Sequence, residues 1–518
     1  MIYFKKSLNI FKKYYKDEKY KYNDIKVIRE FFDMQEKPKY AIDEQCFCDL
    51  DLENVFRTID RTYSSVGEAA LYKMLREPLM DEESLIKRDR VIYKINMDKE
   101  IRSKIQYIFH NLGFDKKNRF LEMMKKDFRS NNLKGYFYSL FGISNFLLIV
   151  FMFLTFNKYI ALLVLLFFII APNIESYESK KVSTNGLIYL NEMLTASRRI
   201  VMLDKNGDLD TERLKIILDK LSFIRINTLL INLTTIYGGI FEPFLIPFLI
   251  LESSYYRIVK NIKENKSELL ELYYELGKIE AFISVGIYKE IVNENISKPK
   301  FLKEIKLNIE NGIHPLLENP VSNSIVIDKK GVVVTGTNMS GKSTFLRMIA
   351  INVVFAQTFY FTLSSKYECS FFNLVTSISP KDDVTLGKSY YFAEIEAILK
   401  IIRSLDDKVK PLCIIDEIFR GTNPIERVAS SIAILNYINK REAITFLATH
   451  DKELTDSLIN SYDFYYFSED LDYKKGLYFD YKLKKGIVKS RNAIKLLEYI
   501  GYPREIVEEA INLTKEFE

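Results

Sequence analysis

The chain has 518 residues, of which 48% are hydrophobic and 28% charged; these values are typical of a globular protein with two to four domains and argue against general disorder. Lysine and arginine exceed aspartate and glutamate by only 75 to 69, so net charge alone indicates no nucleic-acid or membrane partner. Four cysteines and three histidines show neither a disulfide framework nor a zinc-binding spacing, which favours a reducing, cytoplasmic compartment.

The first 50 residues are basic and aromatic and begin MIYFKKSLNIFKKYYKDEKYKY. They contain no apolar h-region and no small-residue cleavage site, so we expect no secretory signal. Two interpretations stay open: a solvated amphipathic helix, or a helix that contacts a membrane surface or another anionic partner. From Asp51 to about Ser130, apolar residues recur at helical spacing, which predicts a helical region.

Two apolar segments follow. Tyr136 to Phe156 has 21 residues and no charge, and as a helix it would measure roughly 31 Å, about the thickness of a bilayer's hydrocarbon core. Tyr159 to Ala171 would measure only about 20 Å and would need tilting, a thinned bilayer or a snorkelling Lys158 to span. We predict a transmembrane hairpin; the alternative is a helical hairpin buried in a soluble dimer.

Both flanks of this pair are basic, as expected of a hairpin whose two ends lie in the cytoplasm. The flanking residues are Lys116, Lys117, Arg119, Lys125, Lys126, Arg129, Lys134, Lys180 and Lys181. A third apolar run, Ile226 to Leu251, contains one acid and two prolines and is too short for two crossings. One further crossing would separate the nucleotide-binding loop described below from cytosolic ATP, so we interpret this run as a buried or interfacial segment.

The stretch KENKSELLELYYELGKIEAFISVGIYKEIV then has the pattern of a long amphipathic helix, a spacer or lever. From about Ser324 the pattern changes to short apolar runs that alternate with helical stretches: SIVI, GVVVTG, PLCIIDE, AITFLATH and LYFDYKL. This alternation predicts an α/β domain with a mainly parallel sheet.

The run GVVVTGTNMSGKSTFLR contains the pattern G-x-x-x-x-G-K-[ST]. We predict a strand over Gly331–Thr335, a glycine-bounded loop over Gly336–Ser343 and a helix from Thr344, which is the context this motif requires. The loop N–H groups and the helix N-terminus attract phosphate, so we expect ATP and Mg²⁺ as cofactors. Lys342 would reach the β and γ phosphates, and the Ser343 hydroxyl would contact Mg²⁺. The predicted nucleotide-binding residues of this loop are Gly336, Thr337, Asn338, Met339, Ser340, Gly341, Lys342, Ser343 and Thr344.

PLCIIDE predicts an apolar strand that ends in two acids at the same sheet edge. Asp416 would hold Mg²⁺ through water. Glu417, which points the other way in a strand, would orient the attacking water, although two acids at a strand end are often only a turn. AITFLATH ends in His450, whose imidazole would sense the γ phosphate, although most lone histidines have no such role. We therefore expect ATP hydrolysis, with Glu417, His450 and Lys342 as catalytic residues.

Gly387, Lys388 and Ser389 precede another predicted helix, whose N-terminus could bind an anion. One subunit already has a phosphate loop, so we predict that Ser389 completes the ATP site of a second copy. The alternative is a simple helix cap. A composite site of this kind implies a homodimer.

At these motifs the chain resembles the MutS family of DNA mismatch repair ATPases. TGTNMSGKST, with its Asn338–Met339 pair, is similar to the family's phosphate loop, IIDEIFRGTNPIERVA to its metal-binding strand, GKSYYFAEI to its signature helix and FLATHDKEL to its histidine strand. The resemblance is weaker at FRTIDRTYSSVGEAALYKMLREPLMDEESL, GIHPLL and RNAIKLLEYIGYPREIVEEA. It implies an ATPase domain of the ABC type and ATP-controlled binding of DNA.

The expected fold is thus α+β and multidomain: a helical core and lever region with a transmembrane helical hairpin, followed by an α/β P-loop ATPase domain. The expected ranges are a basic segment over 1–50, the helical core over 51–135, the hairpin over 136–174, the second half of the core over 175–310, and the ATPase domain with a closing helical segment over 311–518.

The chain departs from the family in two ways. It begins where the family's helical core begins, so we expect no mismatch-recognition domain, and the hairpin occupies the interval where the family's levers lead to a DNA clamp. It is most similar to a shortened, membrane-associated bacterial branch of MutS-like proteins. That branch implies a position on the cytoplasmic face of the membrane, with the ATPase domain in the cytoplasm.

Three functions stay open. The first is a dimeric ATPase whose binding of DNA is controlled by ATP. The second is a membrane-tethered mechanochemical ATPase that acts on an envelope or protein partner without DNA. The third, a structural dimer that uses ATP only as a ligand, is disfavoured by Asp416 and Glu417.

Overall fold

The structure is a computed structural model that describes residues 23–115, 117–126, 132–174, 184–205, 207–224, 246–328, 331–337, 339–378, 390–419, 423–472, 476–487, 494, 497 and 500–516. The chain forms two compact units, each built from stretches that are separate in the sequence. Unit 1 comprises Met1–Glu36, Asp60–Lys73 and Arg90–Ile287, and unit 2 comprises Lys37–Ile59, Met74–Asp89 and Tyr288–Glu518. The linear boundaries expected from the sequence stay predictions.

The first part of the described chain is helical. Its α-helices are α1 (Ile25–Asp33), α2 (Glu44–Asp49), α3 (Leu52–Ile59), α4 (Ser65–Arg76), α5 (Glu82–Met97), α6 (Lys99–Leu112), α7 (Arg119–Lys125), α8 (Asn132–Thr155), α9 (Lys158–Ile174), α10 (Thr184–Leu203), α11 (Glu212–Lys220), α12 (Ile250–Glu264) and α13 (Lys266–Ile291). The predicted lever corresponds to α13, which is 26 residues long and begins directly after Asn265, the residue that ends α12.

The core of unit 1 surrounds α13. The rings of Phe31 and Phe120 stack on Tyr273, with centroids 5.0 and 5.5 Å away. One turn further along α13, a Cβ added to Gly277 would lie 2.0 Å from the carbonyl oxygen of Val66. Helices α4 and α13 therefore approach each other at a distance that only glycine permits at this position.

The two predicted apolar segments form the antiparallel helices α8 and α9. Phe156 and Asn157 connect them, and Phe156 has a left-handed backbone with φ of 47°. Among the described residues, Leu133–Thr155 is the stretch that is long and apolar enough to cross a membrane, while Lys158–Ala171 is apolar but shorter. Only 17% of the apolar window in α8 is buried within the protein. A transmembrane role of the pair stays a prediction.

The third apolar run is described only from Ile246 onward; residues 225–245 lie outside the described residues. A 3₁₀ turn, Ile246–Phe248, packs against α8, where the Asn145 amide donates to the carbonyl oxygen of Pro247 at 2.8 Å. A Cβ added to Gly142 would lie 2.1 Å from the carbonyl oxygen of Phe248. The non-helical backbone of this turn is thus covered by α8, and the interpretation of the whole run stays a prediction.

Unit 2 contains the strands. They are β1 (Lys300–Phe301), β2 (Lys306–Gly312), β3 (Asn323–Asp328), β4 (Val332–Thr335), β5 (Lys366–Cys369), β6 (Asn373–Ser377), β7 (Pro411–Asp416), β8 (Ile444–Ala448), β9 (Asp463–Tyr466), β10 (Glu469–Asp472), β11 (Gly476–Phe479) and β12 (Lys484–Lys485). The helices between and after them are α14 (Lys342–Phe359), α15 (Tyr390–Ser404), α16 (Pro424–Asn439), α17 (Lys452–Leu458) and α18 (Arg504–Glu516).

The main sheet has six strands in the order β12-β9-β4-β8-β7-β6, and all its pairings are parallel except that of β12 with β9. Every residue of β7 and β8 is buried, as expected for central strands covered on both faces. The side chains of Ile401, Leu435 and Leu458 bring α15, α16 and α17 into one apolar cluster with the sheet.

All five predicted runs contain a strand, and GVVVTG, PLCIIDE and AITFLATH lie in the main, mainly parallel sheet. SIVI belongs to β3, in a separate four-stranded sheet of order β1-β5-β2-β3, and LYF belongs to β11, which pairs with β10 among the described residues. β3 alternates between buried and exposed positions, the pattern of a strand that faces solvent on one side. Apolar content alone does not distinguish such a strand from a central parallel one.

Candidate functional site

The phosphate loop connects β4 to α14. Gly336 and Gly341 have φ of 146° and 106°, and Met339 between them has φ of 68°. A Cβ on Gly336 would lie 2.8 Å from the carbonyl oxygen of Phe467, so the loop backbone needs glycine there for both space and conformation. The helix begins at Lys342 and not at the predicted Thr344, which places Lys342 and Ser343 in its first turn.

Lys342 lies inside this loop. Its ammonium donates to the carbonyl oxygens of Gly336 and Thr337 at 2.7 and 2.9 Å, and the residue is only 6% exposed. The ammonium thus lies beside the positive N-terminus of α14. The result is a buried positive concavity suited to phosphate.

Ser343 and Asp416 meet at the edge of the main sheet. The Ser343 hydroxyl donates to a carboxylate oxygen of Asp416 at 2.5 Å, although β8 separates β4 from β7. The parallel strands end at the same edge, which brings the end of β7 beside α14. Nearby in the loop, the Ser340 hydroxyl is buried and has no hydrogen-bond partner among the described residues. A paired hydroxyl and carboxylate, an unsatisfied loop hydroxyl and a glycine cradle together fit a nucleotide triphosphate with Mg²⁺.

Glu417 follows β7 directly and has a left-handed backbone with φ of 64°. Its N–H donates to the carbonyl oxygen of Ala448, and its carboxylate lies 2.5 Å from Nδ1 of His450. The alternation of side chains along a strand predicts Glu417 opposite Asp416. That reasoning is wrong, because β7 ends at Asp416 and Glu417 lies beyond the strand. Both acids line the same cavity. The His450 side chain is 56% exposed on the rim.

A cavity of about 790 Å³ joins these residues, a volume within the usual range for ligand sites. Its lining includes the polar and charged side chains of Lys342, Ser343, Asp416, Glu417 and His450. Uncharged side chains, among them Leu317, Val321, Asn323 and Tyr481, line it as well. The cavity thus offers charged groups for phosphate and apolar surface for the rest of a nucleotide.

Sequence reasoning missed three residues at this site, Glu469, His314 and Arg347. The Thr337 hydroxyl donates to a carboxylate oxygen of Glu469 at 2.6 Å, so the first residue of β10 holds the phosphate loop. His314 and Arg347 line the cavity wall, and burial, assisted by the positive charge of Arg347, lowers the pKa of His314 to about 4. Glu469 lies 132 residues from Thr337, so no local spacing indicates the pair.

Two predicted residues, Asn338 and Ser389, lie outside the described residues. The described part of the helix after Ser389 begins at Tyr390, as α15. The roles assigned to these two residues, and to those gathered around the cavity, stay predictions.

Residues 332–518 match the family model for MutS domain V. Over these residues the chain is similar to the MutS family. MutS domain V is an ATPase-type domain, and the described site lies within it and in the preceding residues of unit 2. The resemblance predicted from the four motifs is confirmed at the level of the family.

Several curated relatives of this chain are MutS proteins. The chain is 30% identical to the DNA mismatch repair protein MutS of Thermotoga maritima over 266 residues, and this aligned segment covers 49% of this chain and 33% of that protein. It is 29% identical to MutS of Thermus thermophilus, over 48% of this chain and 31% of that protein, and 27% identical to MutS of Streptococcus agalactiae, over 51% and 31%. The chain thus spans about a third of the length of these MutS relatives.

Proposed function

We propose that this chain is a MutS-like protein that binds and hydrolyses ATP. The observation that carries the proposal is the convergence of Lys342, the Ser343–Asp416 pair and the Glu417–His450 pair on one cavity in a MutS domain V. Loop, metal-binding acid and water-activating acid are the parts that ATP hydrolysis needs, and together with His450 they follow three adjacent parallel strands, β4, β8 and β7.

Each residue has a distinct task in this proposal. The phosphate loop and Lys342 bind and orient the phosphates of the substrate ATP. Ser343 and Asp416 would hold Mg²⁺, which neutralises phosphate charge when bound. Glu417 accepts a proton from the attacking water, and His450 holds the Glu417 carboxylate in place through the 2.5 Å contact.

A pair of substitutions tests the proposal. Glu417→Gln should retain ATP binding, because the phosphate loop is unchanged, and should lower the hydrolysis rate by about 100-fold or more, because an amide cannot accept the proton. Lys342→Ala should instead weaken ATP binding itself. Binding is measured with a fluorescent ATP analogue and hydrolysis by phosphate release. A Glu417→Gln protein that hydrolyses ATP at the parental rate contradicts the assignment.

The proposed assembly is a homodimer with two composite ATP sites, each completed by Ser389 of the other subunit. In this assembly ATP binding closes the two domains, and Glu417→Gln should accumulate the closed dimer because hydrolysis no longer opens it. Size-exclusion chromatography with light scattering, in the presence of ATP and Mg²⁺, measures the change of mass.

For the output of ATP binding we propose control of DNA binding, by analogy with the relatives, which are named DNA mismatch repair proteins. Recognition of mismatches is not part of this proposal. DNA retention that falls steeply with salt and depends on ATP would support it. A chain that binds no DNA with or without ATP would remove it.

The exposed helices α8 and α9 favour a second candidate, a membrane-tethered ATPase that acts on an envelope or protein partner. Large apolar side chains cover their surfaces, and a patch of this extent in water normally has a covering partner. Exposed members of this surface include Leu140, Ile143, Phe146, Leu147, Phe153, Leu154, Tyr159 and Leu162, and Phe156 between the helices is exposed as well. In this proposal the hairpin inserts from the cytoplasmic side and the ATPase domain stays in the cytoplasm.

Cell fractionation tests the tether. A tagged full-length chain should sediment with membranes, resist carbonate and high salt, and be released by detergent. A chain recovered only in the soluble fraction, as a dimer that covers α8 and α9, contradicts the tether and supports the buried-hairpin alternative.

A further inference from the structure

A second cavity, of about 320 Å³, lies in unit 1 where α12 packs against the start of α8. Its wall includes Tyr136 and Ser139 of α8 and Tyr256, Arg257 and Lys260 of α12. It belongs to neither the nucleotide site nor the apolar surface of the hairpin. Its lining combines the charged side chains of Arg257 and Lys260 with aromatic surface.

Contacts between α8 and α12 show how far along α8 this cavity lies. Helix α12 runs antiparallel to α8, since Phe248, just before α12, meets Gly142, and Tyr256 meets Gly135. One turn of α8 beyond Gly135, the Arg257 guanidinium donates to the Ser139 hydroxyl at 2.8 Å. Arg257 is therefore held one to two turns from the beginning of α8.

Beyond this level α8 continues with an uncharged sequence, from Leu140 to Thr155. The proposed membrane segment begins at Tyr136, and Ser139 follows it by about one helical turn. Ser139 and Arg257 therefore lie within about one turn of the end of the proposed membrane segment, close to the headgroup region.

The side chains at this level suit that region. An exposed tyrosine such as Tyr136 prefers the boundary between hydrocarbon and water, and arginine and lysine there extend toward phosphate. Arg257 and Lys260 place two positive charges at the cavity. Among the described residues of its wall, Glu264 is the acid; it lies 3.8 Å from Lys260 and offsets one of these charges.

We propose that this cavity binds the phosphate group of an anionic phospholipid. The proposal rests on the membrane tether proposed above and adds a specific lipid partner to it. The guanidinium uses one of its five N–H donors on Ser139, a contact that aims the planar group, and its geometry suits two phosphate oxygens. Lys260 adds a second positive charge, and Phe223, exposed at the rim, offers contact to an acyl chain.

The test uses the full-length chain in a neutral detergent, titrated with short-chain phosphatidylglycerol or with the matching phosphatidylcholine, with binding read from thermophoresis. The wild-type chain should prefer phosphatidylglycerol. Arg257→Gln should weaken that binding about fivefold, and Arg257→Gln with Lys260→Gln further, while phosphatidylcholine binding stays unchanged. Glu264→Gln should strengthen the binding, since it removes the opposing charge.

Lys263→Gln is the matched control, because it removes the same charge from the exposed side of the same helix, outside the cavity wall. Equal losses for Lys263→Gln and Arg257→Gln, or equal affinity for the two lipids, overturn the proposal while leaving the tether intact. Inorganic phosphate that competes at the affinity of phosphatidylglycerol overturns the assignment of a lipid. Failure of the tether itself is detected separately by the carbonate extraction.

Discussion

His314 shows how the environment of a single side chain makes the nucleotide cavity sensitive to pH. The backbone N–H of Leu316 donates to Nδ1 of His314 at 3.3 Å, a contact that needs a neutral ring with an unprotonated Nδ1. Burial and the positive charge of Arg347 act in the same direction, so the pKa of His314 falls to about 4, while Asp51 opposes them. The folded state therefore binds this proton less readily than the unfolded state does.

The sign of the pH effect follows. Between the folded pKa of about 4 and the ordinary value of 6.5, the unfolded chain carries more protons, so this residue's contribution to stability is complete above pH 6.5 and is lost as the pH falls toward 4. The contribution is about 3 kcal/mol at most. We expect the apparent melting temperature of the wild-type chain to fall more between pH 7.5 and pH 5 than that of His314→Gln. Equal falls in thermal unfolding experiments would contradict the assignment.

Individual residues of the nucleotide site differ in how far the local sequence predicts their position. The spacing of Gly336, Gly341, Lys342 and Ser343 is a property of one loop, and the loop has the predicted location. The contact of Glu469 with this loop depends on how β10 folds back beside it, and no pattern in the sequence near Glu469 indicates that. The orientation of Glu417 likewise depends on a left-handed residue that a strand pattern does not predict.

At the scale of elements, helix α2 connects parts of unit 2 that are distant in sequence. The Asp49 carboxylate, fully buried, accepts from the Thr376 hydroxyl at 2.7 Å and from the N–H of Ile378 at 3.0 Å, both at the end of β6. Its backbone carbonyl oxygen accepts from Nε of Arg347 on α14 at 2.7 Å. One residue thus joins the end of an edge strand to the helix that follows the phosphate loop.

Substitution of Asp49 tests this connection. Asp49→Ala should lower the free energy of unfolding of unit 2 by about 2–4 kcal/mol, because two buried donors lose their acceptor. Asp49→Asn, which keeps one acceptor oxygen, should cost less. Glu53→Ala is the control, since the pair that Glu53 forms with Arg57 among the described residues lies at the surface, and its loss should cost less than about 1 kcal/mol. Urea titrations followed by far-UV circular dichroism provide the comparison, and equal effects of Asp49→Ala and Glu53→Ala would refute it.

Helices were easier to predict than the sheet partners of short strands. α8, α9 and α13 each have a long apolar or amphipathic pattern that no other structure explains well. β3 and β11 have the apolar content of the central strands but pair elsewhere, because strand pairing is decided by contacts far apart in the chain.

At the scale of the whole molecule, the proposed composite sites make a quantitative prediction. Lys342→Ala and Ser389→Arg should each abolish hydrolysis alone. In a mixture of the two, a mixed dimer has one site with both parts intact, so equal amounts should recover about a quarter of the wild-type rate after random exchange of subunits. Phosphate release is measured before and after exchange. A mixture that stays inactive, although mass measurements show mixed dimers, contradicts completion in trans.

The interleaving of the two units has a consequence for biosynthesis. Lys37–Ile59 and Met74–Asp89 leave the ribosome early, but their partners in unit 2, such as Thr376 and Gln357, follow about 300 residues later. At translation rates of roughly 5–20 residues per second, these early stretches wait on the order of 15–60 s with buried side chains such as Leu50 and Val55 still uncovered. Nascent chains of this protein should therefore depend on a holdase, and a fragment that starts at Tyr288 should not complete unit 2 by itself.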